Sequence, residues 1–531
     1  MSWDYIIVGA GSAGCVLAAR LSENPNNRVL LLEAGPEDNT PFVHMPRGMA
    51  KLFSDPSRAW FFQTEAHDGI AAETWIRGKM LGGSSSINGM MYFRGQPQDY
   101  DGWKSLGCPG WGWDEIGAAF RAIERHELGD DGIRGANGPL GVSVERERSP
   151  LSEAFIGAGE QMGLPRVEDL NNAPEGGVGY CTRTIWKGRR QSTAVSFLKE
   201  ARRRKNLEVI TGALVRKIIF EGRRAVGVSA KIQGEQRELR SEGEVIISAG
   251  AVTSPLILQR SGVGPAALLQ ELGIPVTADS PGVGRHMLEH RLLFLQYDLN
   301  VPYSHNPQLR GARLAANVLR YYLTRSGPMA VAYGTVGAFA RALPSSGTAD
   351  VEILFSPAVT VPDAKGNYVP DPKESVELFG YPLRSRSEGW LQITSADPAK
   401  PARIHAGYLT DPYDRELSVA MFRYIRKLMQ QPAIAPMIAG EREPTRSIQS
   451  DDDILTAFRT LGRGALHACG TCRMGGFEDA VLDERLRVRG VDGLRVVDGS
   501  IMPTMVSANT NGPIMALAWR AATLILEGRN R

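Results

Sequence analysis

The first thirty-five residues constrain this chain most. Tyr5 to Val8 is a short apolar run, the pattern of a buried parallel strand. Gly9, Gly11 and Gly14 follow as GxGxxG, and Val16, Leu17 and Leu21 then recur at helical spacing. Arg28 to Leu32 is a second apolar strand, ending at Glu33. In a strand–helix–strand unit of this length the helix N-terminus meets a pyrophosphate, whose charge is favoured by free N–H groups and the helix dipole. Glu33 stands nineteen residues beyond Gly14, where a carboxylate accepts from ribose hydroxyls and opposes a 2′-phosphate. Glycine is common here, 59 of 531 residues, so the motif alone would carry little. The strand before it, the helix after it and the acid in place make it a dinucleotide site, without separating FAD from NAD.

A chain of 531 residues is long for one core and implies two or three domains. A net charge of +3 with interspersed signs gives no reason to expect nucleic acid. No apolar run reaches the length of a membrane span, and the N-terminus enters the first strand at once. The expectation is a cytoplasmic protein, with peripheral membrane attachment left open and the oligomeric state undetermined. Five cysteines exclude a disulfide scaffold. Cys469-Gly-Thr-Cys472 has no second pair to complete a zinc tetrahedron and lacks the strand–helix setting of a redox pair, so no metal is expected.

Residues 36–76 read as an irregular excursion, because Pro36, Pro41, Pro46 and Pro56 break any long helix. Trp60, Phe61 and Phe62 within it are candidates for a pocket wall. Gly82, Gly83 and three serines then form a donor-rich turn suited to close backbone approach by an anionic or carbonyl-rich ligand. Ile87 to Tyr92 is read as the start of a helix, 97–150 as helical with polar loops, and Leu151 to Gly163 as another helix. Leu207–Ile210, Ala213–Phe220, Glu244–Ser248, Val351–Phe355 and Leu494–Val497 read as strands, and Leu417–Met429 as a helix.

Three stretches carry a family resemblance: the N-terminal unit with Arg77 to Gly95; Ser248-Ala-Gly-Ala-Val-Thr-Ser-Pro through Pro265; and the run from His467-Ala-Cys-Gly-Thr-Cys-Arg-Met-Gly to Ser507-Ala-Asn-Thr-Asn-Gly-Pro513. In this order they resemble the signatures of the glucose–methanol–choline (GMC) oxidoreductases, among them alcohol and choline dehydrogenases and hydroxymethylfurfural-type oxidases. The resemblance implies FAD and an α/β fold. A Rossmann-like FAD-binding domain (1–150, 206–290, 466–531) would carry a discontinuous substrate domain (151–205, 291–465) of antiparallel sheet and helices over the flavin. It implies cofactor contacts from Gly9, Gly11, Ser12, Ala13, Gly14, Glu33 and Ala34. Further contacts would come from Arg77, Leu81, Gly83, Ser84, Asn88, Gly89, Met90 and Met91, and from Val215, Gly250, Asp498 and Thr510.

By the same resemblance His467 is the general base for an alcohol whose hydride passes to flavin N5, with O₂ or a quinone as final acceptor. Asn509 is the second active-site residue, and Asn511 is the alternative for that place. The final helix, opened by Gly512-Pro513, would aim its positive end at the flavin. Two positions depart from the family pattern. Ala468 follows the histidine where proline is common. Ile87 stands where some choline-oxidising members carry a flavin-linking histidine, which leads to the expectation of non-covalent FAD. Leu466, Trp60, Phe61, Phe62 and Phe355 suggest an apolar pocket for an aliphatic or aromatic primary alcohol. Choline- or sugar-alcohol dehydrogenation, a lyase holding FAD without redox turnover, and a partner-binding flavoprotein remain the alternatives.

Overall fold

The computed structural model describes residues 2–363 and 368–529. Two seven-stranded sheets organise it. In the first, Trp3–Val8 lies between Val29–Leu32 and the long strand Glu235–Ile247, parallel to both, with Leu207–Ile210 beyond Val29–Leu32. Tyr5–Val8, Val29–Leu32 and Val245–Ile247 are apolar and buried because both faces are covered there, the condition for a parallel sheet. Leu494–Val496 adds in parallel to Val245–Ile247. The other end of Glu235–Ile247 continues into an antiparallel meander with Arg224–Ile232 and Ala213–Glu221.

The second sheet is antiparallel, in the order Ile438–Glu441, Arg291–Leu299, Ser375–Pro382, Val351–Ser356, Val336–Ala340, Gly177–Tyr180, with Arg463–Gly464 as a seventh strand paired to Arg291 and Leu292. Helices Pro150–Gln161 and Pro412–Met429 pack on one of its faces. Register decides which side chains see the other face. Phe294, Phe379 and Leu354 stand in one cross-strand row, and Gln296 and Glu377 in the row two residues along. Phe355, one residue out of step with Leu354, points the opposite way and packs 5.1 Å, centroid to centroid, from Phe155.

Two expectations are corrected. Residues 87–92 form a turn and an irregular stretch rather than a helix, with Met90 at a φ of +66°. Helices Pro97–Ser105 and Trp113–Ile123 are followed by strands Glu124–His126 and Leu140–Val144, so 97–150 is not helical throughout. Ala194, Phe197, Leu198 and Ala201 pack in the same apolar cluster as the strands of the first sheet. Among the described residues, no helix is long and apolar enough to cross a membrane.

Candidate active site

A single cavity of about 1850 Å³ is lined by the glycine-rich turns of the first sheet and by the row-facing side of the second. At one end stand Gly9, Gly11, Ser12, Ala13, Glu33, Ala34, Val215 and Gly250. Helix Ser12–Leu21 starts here, and Gly14 in its first turn has no room for a side chain: a Cβ would lie 1.8 Å from the Gly9 carbonyl oxygen. Gly83, at a φ of +52°, brings the serine-rich turn against the same place, where its Cβ would meet the Gly11 Cα at 2.7 Å. The Glu33 carboxylate accepts from the N–H groups of Ala10 at 3.0 Å and Gly35 at 2.8 Å. Burial pushes its pKa up to about 7 against those bonds. Ribose hydroxyls donating to it would hold it ionised.

The lining continues through Arg77, Ser84, Asn88, Gly89, Met90, Met91, Asp498 and Thr510 to the start of helix Asn511–Arg529. Ser12 Oγ donates to Asn511 Oδ1 at 2.7 Å, so two helix N-termini meet at one point of the cavity wall. Free N–H groups and dipoles of both favour negative charge there. Asp498 accepts from the N–H of Gly250 and the hydroxyl of Ser254, fixing the start of helix Gly250–Arg260. Leu81 is buried in the core beneath the turn and does not line the cavity. Of the proposed pocket residues, Trp60 and Leu466 line it. Phe61 is instead 42% exposed, Phe62 packs on the core of the second sheet and Phe355 lies on that sheet's far face. Alternation along strand Ala59–Gln63 turns Phe61 away from the face that Trp60 and Phe62 share.

His467 is held from three sides. Leu466 before it has a φ of +66°, an uncommon conformation for a leucine. The Arg77 guanidinium donates to the Leu466 carbonyl and faces Glu289 at 3.6 Å, while Glu289 accepts from the His467 N–H at 2.6 Å. The imidazole lies between His290, with the two Nδ1 atoms 3.0 Å apart, and Asn509, with Nδ2 3.2 Å from His467 Nε2. This chain has one assignment of protons. The Leu383 carbonyl can only accept, so His290 Nε2, 3.0 Å away, carries a hydrogen. Burial lowers the His290 pKa to about 4, which keeps that ring neutral and its Nδ1 bare. His467 Nδ1 therefore donates to His290, and the unprotonated His467 Nε2, which lines the cavity side, accepts from Asn509 Nδ2. Burial first, then His290 and Arg77, lower the His467 pKa well below the ordinary value, so it too is neutral.

Asn509, not Asn511, is the asparagine beside His467, and its Oδ1 is a buried acceptor with no partner among the described residues. Sequence reasoning passed over His290, Glu289 and Tyr381. A Glu-His pair after a glycine-rich stretch carries no signal of its own, and Tyr381 stacks on His290 only through the fold. Cys469 and Cys472 are fully buried free thiols whose pKa values burial pushes up, which leaves them inert. Among the described residues no cluster suited to a metal occurs.

A nucleotide cradle and a neutral imidazole paired with an amide, in one cavity, describe a dinucleotide-dependent oxidoreductase. Residues 3–292 match the N-terminal and residues 385–518 the C-terminal model of the GMC oxidoreductases, and the chain belongs to that family. It is 38% identical to the mitochondrial choline dehydrogenase of Homo sapiens, over 98% of this chain and 89% of that one. It is also 38% identical to an alcohol dehydrogenase [acceptor] of Pseudomonas putida, over 99% and 96%. Among solved structures, pyridoxine 4-oxidase from Mesorbium loti superposes with a TM-score of 0.89 at 32% identity, covering 99% of each chain. An FAD-dependent oxidoreductase from Chaetomium thermophilum does so with 0.90 at 26%, covering 100% of each. The cofactor is FAD, and the cradle at Gly14 and Gly83 and the orphaned Asn509 Oδ1 fit such a ligand.

Proposed function

We propose that the protein oxidises a primary alcohol to an aldehyde, with His467 as general base. The carrying observation is the bare Nε2 of a neutral His467 beside an amide donor, in the cavity that also contains the nucleotide cradle. The alcohol hydroxyl gives its proton to His467 Nε2, and Asn509 Nδ2 donates to the oxygen as charge develops on it. Bound FAD would supply the acceptor for the hydride that leaves the alcohol carbon, with O₂ or a quinone as the final oxidant. Tyr381, Phe379, Phe294 and Leu354 favour an aliphatic or aromatic substrate body. His467→Ala should retain FAD but slow anaerobic flavin reduction by an alcohol about 100-fold. An unchanged rate would remove His467 from the mechanism, and a flavin that no alcohol reduces in the native protein would favour the lyase.

A second reading rests on Glu377. This buried carboxyl lines the cavity, accepts from Gln296 at 3.1 Å and from Tyr333, and has no ion-pair partner among the described residues, with Arg463 a cation that acts on it from further off. An ammonium group on the alcohol would be received there. Four residues of strand separate Glu377 from Tyr381 beside His467, about 13 Å. That favours an amino alcohol longer than choline, in which only two carbons separate the nitrogen from the hydroxyl oxygen. Glu377→Gln should raise KM about 10-fold for such amines and leave neutral alcohols unchanged. Equal effects on both would discard the ammonium reading.

A further inference from the structure

Helix Gly311–Thr324 has apolar residues on two sides. Leu314, Val318 and Tyr321 face inward onto Met45, Leu309 and Met329. Ala312, Ala315, Ala316, Leu319 and Leu323 form a second stripe that faces solvent, with Leu319 60% and Leu323 76% exposed. Tyr322, 45% exposed, stands beside that stripe and also lines the cavity. Phe42, Tyr368 and Leu461 are likewise both exposed and cavity-lining, so the exposed apolar surface gathers around the cavity mouth. An outward apolar stripe of this kind in a folded chain marks a surface that something covers.

The charges identify the occupant. Arg310, Arg313, Arg320 and Arg325 sit on and beside this helix, and none has an ion-pair partner among the described residues. The sequence has no Asp or Glu between Asp298 and Asp350. A second copy docking helix to helix about a twofold axis would bring these arginines against their own kind. An anionic lipid surface complements them, while the leucines enter the acyl boundary and Tyr322 sits at headgroup level.

We propose that helix Gly311–Thr324 docks the protein on an anionic membrane surface, with the cavity mouth turned towards the bilayer. Lipid-soluble alcohols or quinones then reach the cavity from the membrane. This docking is independent of the chemistry assigned to His467.

The test is cosedimentation of the FAD-loaded protein with vesicles of phosphatidylcholine plus phosphatidylglycerol, against pure phosphatidylcholine, at low and high salt. The native protein should sediment with the anionic vesicles and be released by salt, each arginine near the surface contributing roughly 5-fold to affinity. Leu319→Ser with Leu323→Ser should weaken binding about 10-fold or more, and Arg313→Gln with Arg320→Gln should flatten the salt dependence. Neither leucine lines the cavity, so flavin content and reduction by a water-soluble alcohol should be unchanged in the leucine variant, which reports that it is folded. The proposal is overturned if the native protein stays in the supernatant, or if both variants bind as it does. A native dimer that the leucine variant splits, without vesicle binding, would overturn it in favour of a second copy.

Discussion

His467, the proposed base, is a residue that the protein keeps uncharged. Burial, His290 and Arg77 all lower its pKa, so the imidazole stays neutral to well below pH 6.5 and loses activity only as pH falls through that lowered value. The acid limb of kcat/KM should accordingly lie below pH 6.5. His290→Phe removes both the acceptor for the His467 Nδ1 hydrogen and part of that lowering. The limb should then move up, and reduction should slow about 10-fold as the ring loses its fixed tautomer. A wild-type limb above pH 6.5, or a limb unmoved in the variant, would reject the positioning role of His290. Glu289 serves the same residue from behind. Its carboxyl, raised to about 7 by burial and opposed by Arg77, ties the His467 N–H to the guanidinium that holds the Leu466 carbonyl.

At the scale of elements, the glycine-rich helix and the serine-rich turn act as one cradle because their backbones touch. Gly14→Ala puts a methyl group on the Gly9 carbonyl oxygen, a contact that the helix start cannot relieve without leaving the strand. The native protein should carry FAD that acid sets free, since Ile87, which by resemblance takes the flavin-linking place, offers no nucleophile, and Gly14→Ala should purify without it. Yellow colour left in the acid pellet, or full flavin in the variant, would contradict this. The cradle was legible from residues alone, because GxGxxG needs its strand and helix at fixed spacing, and Glu33 follows at a fixed distance. The pocket walls were not. Trp60 and Phe61, or Leu354 and Phe355, differ by one residue, and in a strand one residue is the difference between the two faces. An apolar run buried on both sides carries no mark of which face a ligand sees. His290 was hidden for a related reason: its partners, the Leu383 carbonyl and His467, are 93 and 177 positions away.

At the scale of the whole molecule, each sheet supplies what the other lacks. The parallel sheet ends in loops that take a dinucleotide, and the antiparallel sheet offers a broad wall on which a substrate can lie. The hydrogen bond from Ser12 to Asn511 spans 499 positions of sequence, and Leu494–Val496 completes the sheet that Trp3–Val8 began. The consequence concerns time. On a ribosome the cradle emerges first and the helix that faces it last, so for most of synthesis the strand Glu235–Ile247 waits with its partner edge open. Contacts this distant in sequence form slowly, and an open edge invites wrong pairing meanwhile. Nascent chains stalled before residue 494 should fail to take up FAD, whereas released full-length chains should acquire it; flavin bound by the stalled chains would show that the first strands suffice. A cofactor held by both termini would make its own capture the last event of folding.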